Sequence, residues 1–153
     1  MVMRTQNYNG FTLVELLVTI AVFAILAGIA MPSFTSLIAG QKIRTSVSML
    51  QSSLMTARSE ALKRSTNVTV SPIGGLWSSG WTTVVSSTGE NLFNLNNTTS
   101  ATISGPASIV YNNAGRVAVN SGATFKFSSP ETGDFRCLTV DLSGLPMVFS
   151  TGC

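Results

Sequence analysis

From Phe11 to Phe34 the chain reads FTLVELLVTIAVFAILAGIAMPSF, an apolar run whose one charged residue is Glu15. A bilayer core of about 30 Å needs roughly 20 apolar residues at 1.5 Å rise each, so this segment is long enough to span one. Beyond it, Ile43, Val47, Leu50, Leu54, Ala57 and Ala61 recur at intervals of three and four residues, which places them on one stripe of a helix. Lys42, Arg44, Arg58, Lys63 and Arg64, with Glu60, fall on the other faces. The pattern predicts one long helix from Phe11 to about Ser65, its first half suited to lipid and its second half packed on a domain. Pro32 should loosen or kink it, and Gly28 and Gly40 lower its intrinsic stability. Lipid-buried helices often continue through such a proline.

From Asn67 onward the period changes to two. NVTVS, WTTVVS, SIVYN, GRVAVN, ATFKFS, FRCLTVDL and PMVFS read as short strands. Between them lie turn sequences, among them Pro72-Ile73-Gly74-Gly75, Asn112-Asn113-Ala114-Gly115, Asn120-Ser121-Gly122 and Ser143-Gly144. Such spacing predicts antiparallel sheet curled over the helical stripe, an α+β fold. The polar stretch from Glu90 to Pro106 reads as an exposed loop around a short Leu92-Phe93 strand. Trp77 and Trp81 read as packing residues at a sheet edge in preference to a ligand platform.

Composition narrows the function. Charged residues make up 10% of the 153 and hydrophobic residues 44%, yet the mean hydropathy is +0.37, because the apolar residues are concentrated at the start. The chain has no histidine, which excludes Ser-His-Asp and Cys-His catalysis and histidine metal sites. Two cysteines cannot form a four-thiolate metal site. No nucleophile, base and orienting group can be assembled, so the reading is a non-enzyme without a cofactor. Five helical cations against Glu60 read as a solvated face, with Lys42 and Arg44 near lipid headgroups. A cleaved secretory signal competes for the apolar run, but its apolar region is normally about 7–15 residues long and is not followed by more helix. Glu15 is costly inside a membrane unless it snorkels to the headgroups or meets a positive partner from another chain.

The residues ahead of the apolar run, MVMRTQNYNG, are polar, carry Arg4 and stop at Gly10. The junction Gly10-Phe11-Thr12-Leu13-Val14-Glu15 resembles the class III signal of type IV pilins and type II secretion pseudopilins. That resemblance implies a prepilin peptidase that cuts between Gly10 and Phe11 and methylates Phe11 to N-methylphenylalanine. It also gives Glu15 an assembly role: as the fifth residue of the mature chain, it meets the free amine of a neighbouring subunit and offsets its own desolvation. One departure is the leader's single basic residue, where family leaders often hold more. The implied organisation is a removed leader at 1–10, a transmembrane and filament-core helix at 11–34, its amphipathic continuation at 35–66 and a β-rich domain at 67–153.

In the soluble part, Leu54-Met55-Thr56-Ala57-Arg58-Ser59-Glu60-Ala61 resembles the ARSEA signature of GspH/FimT-type minor pilins and pseudopilins. So do the Gly115-Arg116 turn, the two C-terminal cysteines and the closing strand-turn-strand, in a FimU-like layout. This implies a pilin-like α+β fold, with the long helix on an antiparallel two-sheet β domain. The domain would lie in the periplasm, anchored by a single pass through a bacterial inner membrane until assembly carries it to the pilus or pseudopilus tip. In that oxidising compartment Cys137 and Cys153 are expected to pair across 15 intervening residues; free or redox-active thiols are the alternative, without a Cys-x-x-Cys to support them.

One branch of the family binds DNA through a Gly-Arg-x-Arg motif in the C-terminal hairpin. Here that place reads Ser143-Gly144-Leu145-Pro146-Met147 and lacks both arginines. After Asn67 the three cations Arg116, Lys126 and Arg136 face the four acids Glu90, Glu131, Asp134 and Asp141, a net charge of −1, which disfavours nucleic acid as a partner. The expected partners are other pilin or pseudopilin subunits. The leading expectation is a minor pilin of the tip or initiation complex of a type IV pilus. The alternative is the H-type minor pseudopilin of a type II secretion system, and a DNA receptor for transformation is the third reading.

Overall fold

The computed structural model describes residues 11–96, 101–119 and 122–153 and, at residues 30–33 and 119, the backbone alone. It divides into two compact units, Met1–Thr35 and Ser36–Cys153. Helix α1 is assigned from Leu13 to Arg64 and so contributes to both. The expected loosening at Pro32 and the leader ending at Gly10 both lie outside the described side chains.

In the first unit, Phe11, Leu13, Val14, Leu16, Phe23 and Ile29 are all exposed, and so are the other large apolar residues up to Ile29. No single helix among the described residues is by itself long and apolar enough to cross a membrane. Leu13–Ile29 and Phe34–Arg64 meet that requirement only when counted together.

The second unit holds the core. All six stripe residues, Ile43, Val47, Leu50, Leu54, Ala57 and Ala61, are buried, the last four completely. Ala39, Ser46 and Ser53 share the burial. The Ser53 hydroxyl donates to the Met49 carbonyl at 2.9 Å and that of Ser46 to Lys42 at 3.0 Å, so small polar residues can enter the apolar face with their donors satisfied. The helix ends at Ser65, whose φ of 50° turns the chain, while the Thr66 N–H donates back to the Ala61 carbonyl at 3.2 Å. Arg64 spans Glu60 at 2.9 Å and Glu90 at 2.7 Å, joining the last helical turn to the β domain.

Nine strands follow: β1 Val68–Pro72, β2 Gly80–Val85, β3 Asn91–Asn96, β4 Thr102–Ser104, β5 Ile109–Tyr111, β6 Val117–Val119, β7 Ala123–Ser128, β8 Phe135–Val140 and β9 Pro146–Phe149. They form two antiparallel sheets, ordered β3-β2-β1-β5-β6 and β4-β7-β8-β9. Alternation carries Val68 and Val70, Phe125 and Phe127, and Leu138 and Val140 inward, where they join the helical stripe in one core.

Two expectations need correction. The stretch from Glu90 to Pro106 is not a loop around a two-residue strand: it contains β3 and β4, the edge strands of different sheets. β3 leaves only Leu92 and Leu95 half-buried and is held by backbone pairing to β2, with Trp81 opposite Leu95 and Thr83 opposite Phe93, so its apolar alternation is faint. The tryptophans are core residues and not edge residues. Trp81 is fully buried on β2, an interior strand, and Trp77 donates its indole N–H to the Pro106 carbonyl at 2.7 Å. Trp77 also packs edge-on against Phe125 at 4.8 Å between ring centres. The predicted turn at Asn120-Ser121-Gly122 falls largely outside the described residues.

Candidate functional site

The start of α1 is a reciprocal cap. The Thr12 carbonyl accepts the first helical bond, from Leu16 N–H at 3.2 Å, which makes Thr12 the N-cap residue. Its hydroxyl accepts the Glu15 N–H at 3.2 Å. Glu15 reaches back, and its Oε2 accepts the Thr12 N–H at 2.9 Å and the Thr12 hydroxyl at 3.0 Å. Thr-x-x-Glu is a capping box, and it satisfies two amide donors that the helix start leaves unpaired. The signal stands in the sequence as Thr12-Leu13-Val14-Glu15, a Thr-x-x-Glu box at the head of the apolar run. The cap uses Oε2 alone, and Oε1 of Glu15 has no hydrogen-bond partner among the described residues. Phe11, immediately before the cap, is 84% exposed, and Gly10 lies outside the described residues.

Three segments that resembled family signatures far apart in the sequence meet in the second unit. Arg58 on α1 donates through Nε to the Gly115 carbonyl at 2.9 Å, across 57 residues. Gly115 sits in the β5–β6 hairpin with φ +69°, and Leu62 lies so close that an added Cβ would come within 3.1 Å of it. Asn112 organises that hairpin, its Oδ1 accepting the N–H groups of Ala114 and Arg116 at 3.0 Å each. Gly144, in the β8–β9 turn with φ +82°, closes the group, pressed on the Gly115 carbonyl, the Tyr111 ring and Arg58. Asp141 sets this last turn: its Oδ1 accepts the Ser143 hydroxyl at 2.6 Å and the Leu145 N–H at 3.1 Å, and its carbonyl accepts the Gly144 N–H at 3.0 Å. Those donors, the Ser143 hydroxyl foremost, hold the Asp141 carboxyl below the usual carboxylate range. Tyr111 is buried beside them with its hydroxyl unpartnered among the described residues, and burial pushes that phenol's pKa well up.

Cys137 and Cys153 form a disulfide with Cα atoms 5.4 Å apart. Cys137 is buried on β8, and the bond brings the last residue of the chain back to that strand. Arg116 follows its tight turn as an exposed charge. Among the described residues no three acidic or cysteine side chains gather into a metal-holding group. The chemistry of these sites is cohesion: capping, turn formation and packing within the chain.

The family model described as type II transport protein GspH matches residues 46–144, and the prokaryotic N-terminal methylation motif matches residues 5–31. Among solved structures, the chain is similar to the type IV minor pilin FimU of Pseudomonas aeruginosa at 17% identity and a TM-score of 0.63, covering 71% of this chain and 89% of that one. A second crystal form of FimU gives 18% identity and a TM-score of 0.61 over 69% and 91%. The minor pseudopilin EpsH of the Vibrio cholerae type 2 secretion system gives 11% and 0.59 over 73% and 99%. At these identities the likeness is one of fold. No curated protein sequence matches the chain.

Proposed function

This chain belongs to the GspH family, and from that membership we propose that it is a minor pilin, a structural subunit that helps to prime a type IV pilus from its tip. The observation that carries the reading is the first unit: a helix whose large apolar residues from Phe11 to Ile29 are all exposed, opened by a carboxylate one turn from the expected cut. Such a surface is stable only in lipid or among other helices. In this reading the prepilin peptidase hydrolyses the Gly10–Phe11 bond and methylates the new amine on Phe11. The helix first anchors the chain in the inner membrane with the β domain in the periplasm. On assembly, Oε1 of Glu15 receives the positive amine of a neighbouring subunit while Oε2 keeps its bonds to Thr12. The chain acts as a building block and not as an enzyme.

The second reading is the H-type pseudopilin of a type II secretion system, supported by the family model's description and by the likeness to EpsH over nearly all of that chain. Deleting the gene separates the two. Loss of surface pili with secretion intact supports the pilus. Intact pili with exported enzymes trapped in the periplasm supports the secretion system.

A further inference from the structure

Strand β9 is an edge of its sheet: it pairs with β8, Leu138 opposite Val148 and Val140 opposite Pro146, and has no strand on its other side among the described residues. Met147, Val148 and Phe149 along it are each more than 40% exposed, as are Leu142 and Leu145 before it. No charged residue occurs from Leu142 to Cys153. Exposed edges are ordinarily protected by lysines, prolines or a covering element, because their free N–H and C=O groups recruit other strands. Here Pro146 protects the start of β9, its carbonyl accepting Gln51 Nε2 of α1 at 3.3 Å, and the Cys137–Cys153 bond turns the tail back at the other end, where Phe149 pairs with Cys137, leaving the middle of the strand uncovered by either.

Beside this edge lies a cleft of about 360 Å³ between α1 and the sheet, lined by Arg44, Val47, Gln51, Arg136 and Val148. A second, of about 400 Å³, continues it towards Gly40, Asp134 and Ser150, and Arg44 and Arg136 line both. Neither arginine forms an ion pair among the described residues. Glu60 and Glu90 are taken by Lys63 and Arg64, Glu15 and Asp141 by their own turns, and Glu131 lines neither cleft. Asp134 is the one acid on the cleft wall, and it accepts the Thr132 hydroxyl at 3.2 Å. Two guanidinium groups against one carboxylate leave the cleft positive beside a bare apolar edge.

We propose that the β9 edge and the Arg44–Arg136 cleft form one docking surface, on which a different pilin-type subunit adds an extended apolar segment as a strand and places a carboxylate between the two arginines. Main-chain bonds along β9 would give affinity, and the acid would select the partner. A second copy of this chain is the wrong occupant: pairing two β9 edges brings four arginines together against the two Asp134 carboxylates, and the charge-free strand adds no further acid. The inference rests on the assembly role proposed above, since the partner is taken from among co-assembling subunits.

The test uses the full-length chain in its own cells, with p-benzoylphenylalanine placed at Val148, at Met147 on the opposite face of the same strand, or at Val18 in the apolar helix. The expected result at Val148 or Met147 is an adduct with another subunit carrying an N-terminal methylation motif, joined within a segment that contains Asp or Glu. Combining Arg44→Glu with Arg136→Glu should lower that yield about tenfold, with chain levels and the Val18 adduct unchanged. If the reversal lowers chain levels, Arg44→Gln with Arg136→Gln should still reduce the yield. An adduct between two copies of this chain, or a yield indifferent to the arginine changes, overturns the proposal. So does silence at both β9 positions while Val18 still cross-links to pilin subunits, an outcome that leaves the assembly role standing. Silence at Val18 as well removes the assembly role and this surface with it.

Discussion

Gly144→Ala tests the convergence of helix, hairpin and C-terminal turn. Gly144 holds φ at +82°, a left-handed conformation that costs a non-glycine residue about 1–2 kcal/mol. The new methyl group would also run into the Gly115 carbonyl and stand 3.0 Å from Tyr111 Cε1 and 3.3 Å from Arg58 Nε. Backbone cannot swing aside as a side-chain tip does, so either the β8–β9 turn or the β5–β6 hairpin must shift. Overpacking of this kind costs about 1–3 kcal/mol, and moving the carbonyl from Arg58 also weakens a charged hydrogen bond. The expected loss is about 2–5 kcal/mol, a large share of the roughly 5–15 kcal/mol that holds a domain together. Gly89→Ala is the control, because Gly89 has φ +72° with nothing within 4 Å of an added Cβ. Denaturant unfolding of the full chain in detergent, followed by tryptophan fluorescence, should show Gly144→Ala less stable than Gly89→Ala by at least 1 kcal/mol, the lower bound of the overpacking range. Equal losses at the two sites would refute the contact argument and leave only backbone strain.

Three further outcomes follow from the sites described. Cys153→Ser should lower unfolding stability by about 3 kcal/mol under oxidising conditions, the chain-entropy value for a loop of about 15 residues; the gap should close when both proteins are reduced. Glu15→Gln separates the two duties of that residue, since glutamine can still serve in the cap but carries no charge. Filament incorporation should fall for Gln and for Ala alike, with leader cleavage intact in both; near-normal incorporation of Gln, scored by immunoblot of the filament fraction, would leave Glu15 as a cap alone. Asp141 titrates below its ordinary value of 3.8 in the folded chain, so its contribution is full above that value and is lost as pH falls through the folded one. Asp141→Asn should therefore flatten the acid limb of a stability-against-pH curve, and an unchanged limb would contradict this.

What could be read in advance was what is periodic. The six stripe positions of α1 are all buried, and every segment read as a strand after Asn67 contains one, because burial on one side of an element leaves a repeat of 3.6 or 2 in the residue types. Only Leu92-Phe93 of β3 was legible, because that strand buries no side chain completely and is held by backbone pairing to β2; β4 escaped because three residues with Ile103 alone buried are too short to show a repeat. Ser46 and Ser53 escaped for the opposite reason, being polar residues whose hydroxyls bond within their own helix and so can be buried. Arg58, Gly115 and Gly144 were each visible as local signatures, but their meeting point is set by how sheets and helix stack, and no period records a contact across 57 residues. The cap at Thr12 was fully legible in four consecutive letters and was obscured by the charge on Glu15. The positive cleft beside β9 depends on Arg44 and Arg136, 92 positions apart, sharing one wall, which only the folded chain brings about.

The most direct test of the central claim is an intact-mass and N-terminal measurement of this chain recovered from filaments sheared off the cell surface. The account predicts a trace subunit that begins at Phe11, carries one added methyl group and retains the Cys137–Cys153 bond. A chain that is absent from filaments, or present with residues 1–10 still attached, would contradict it.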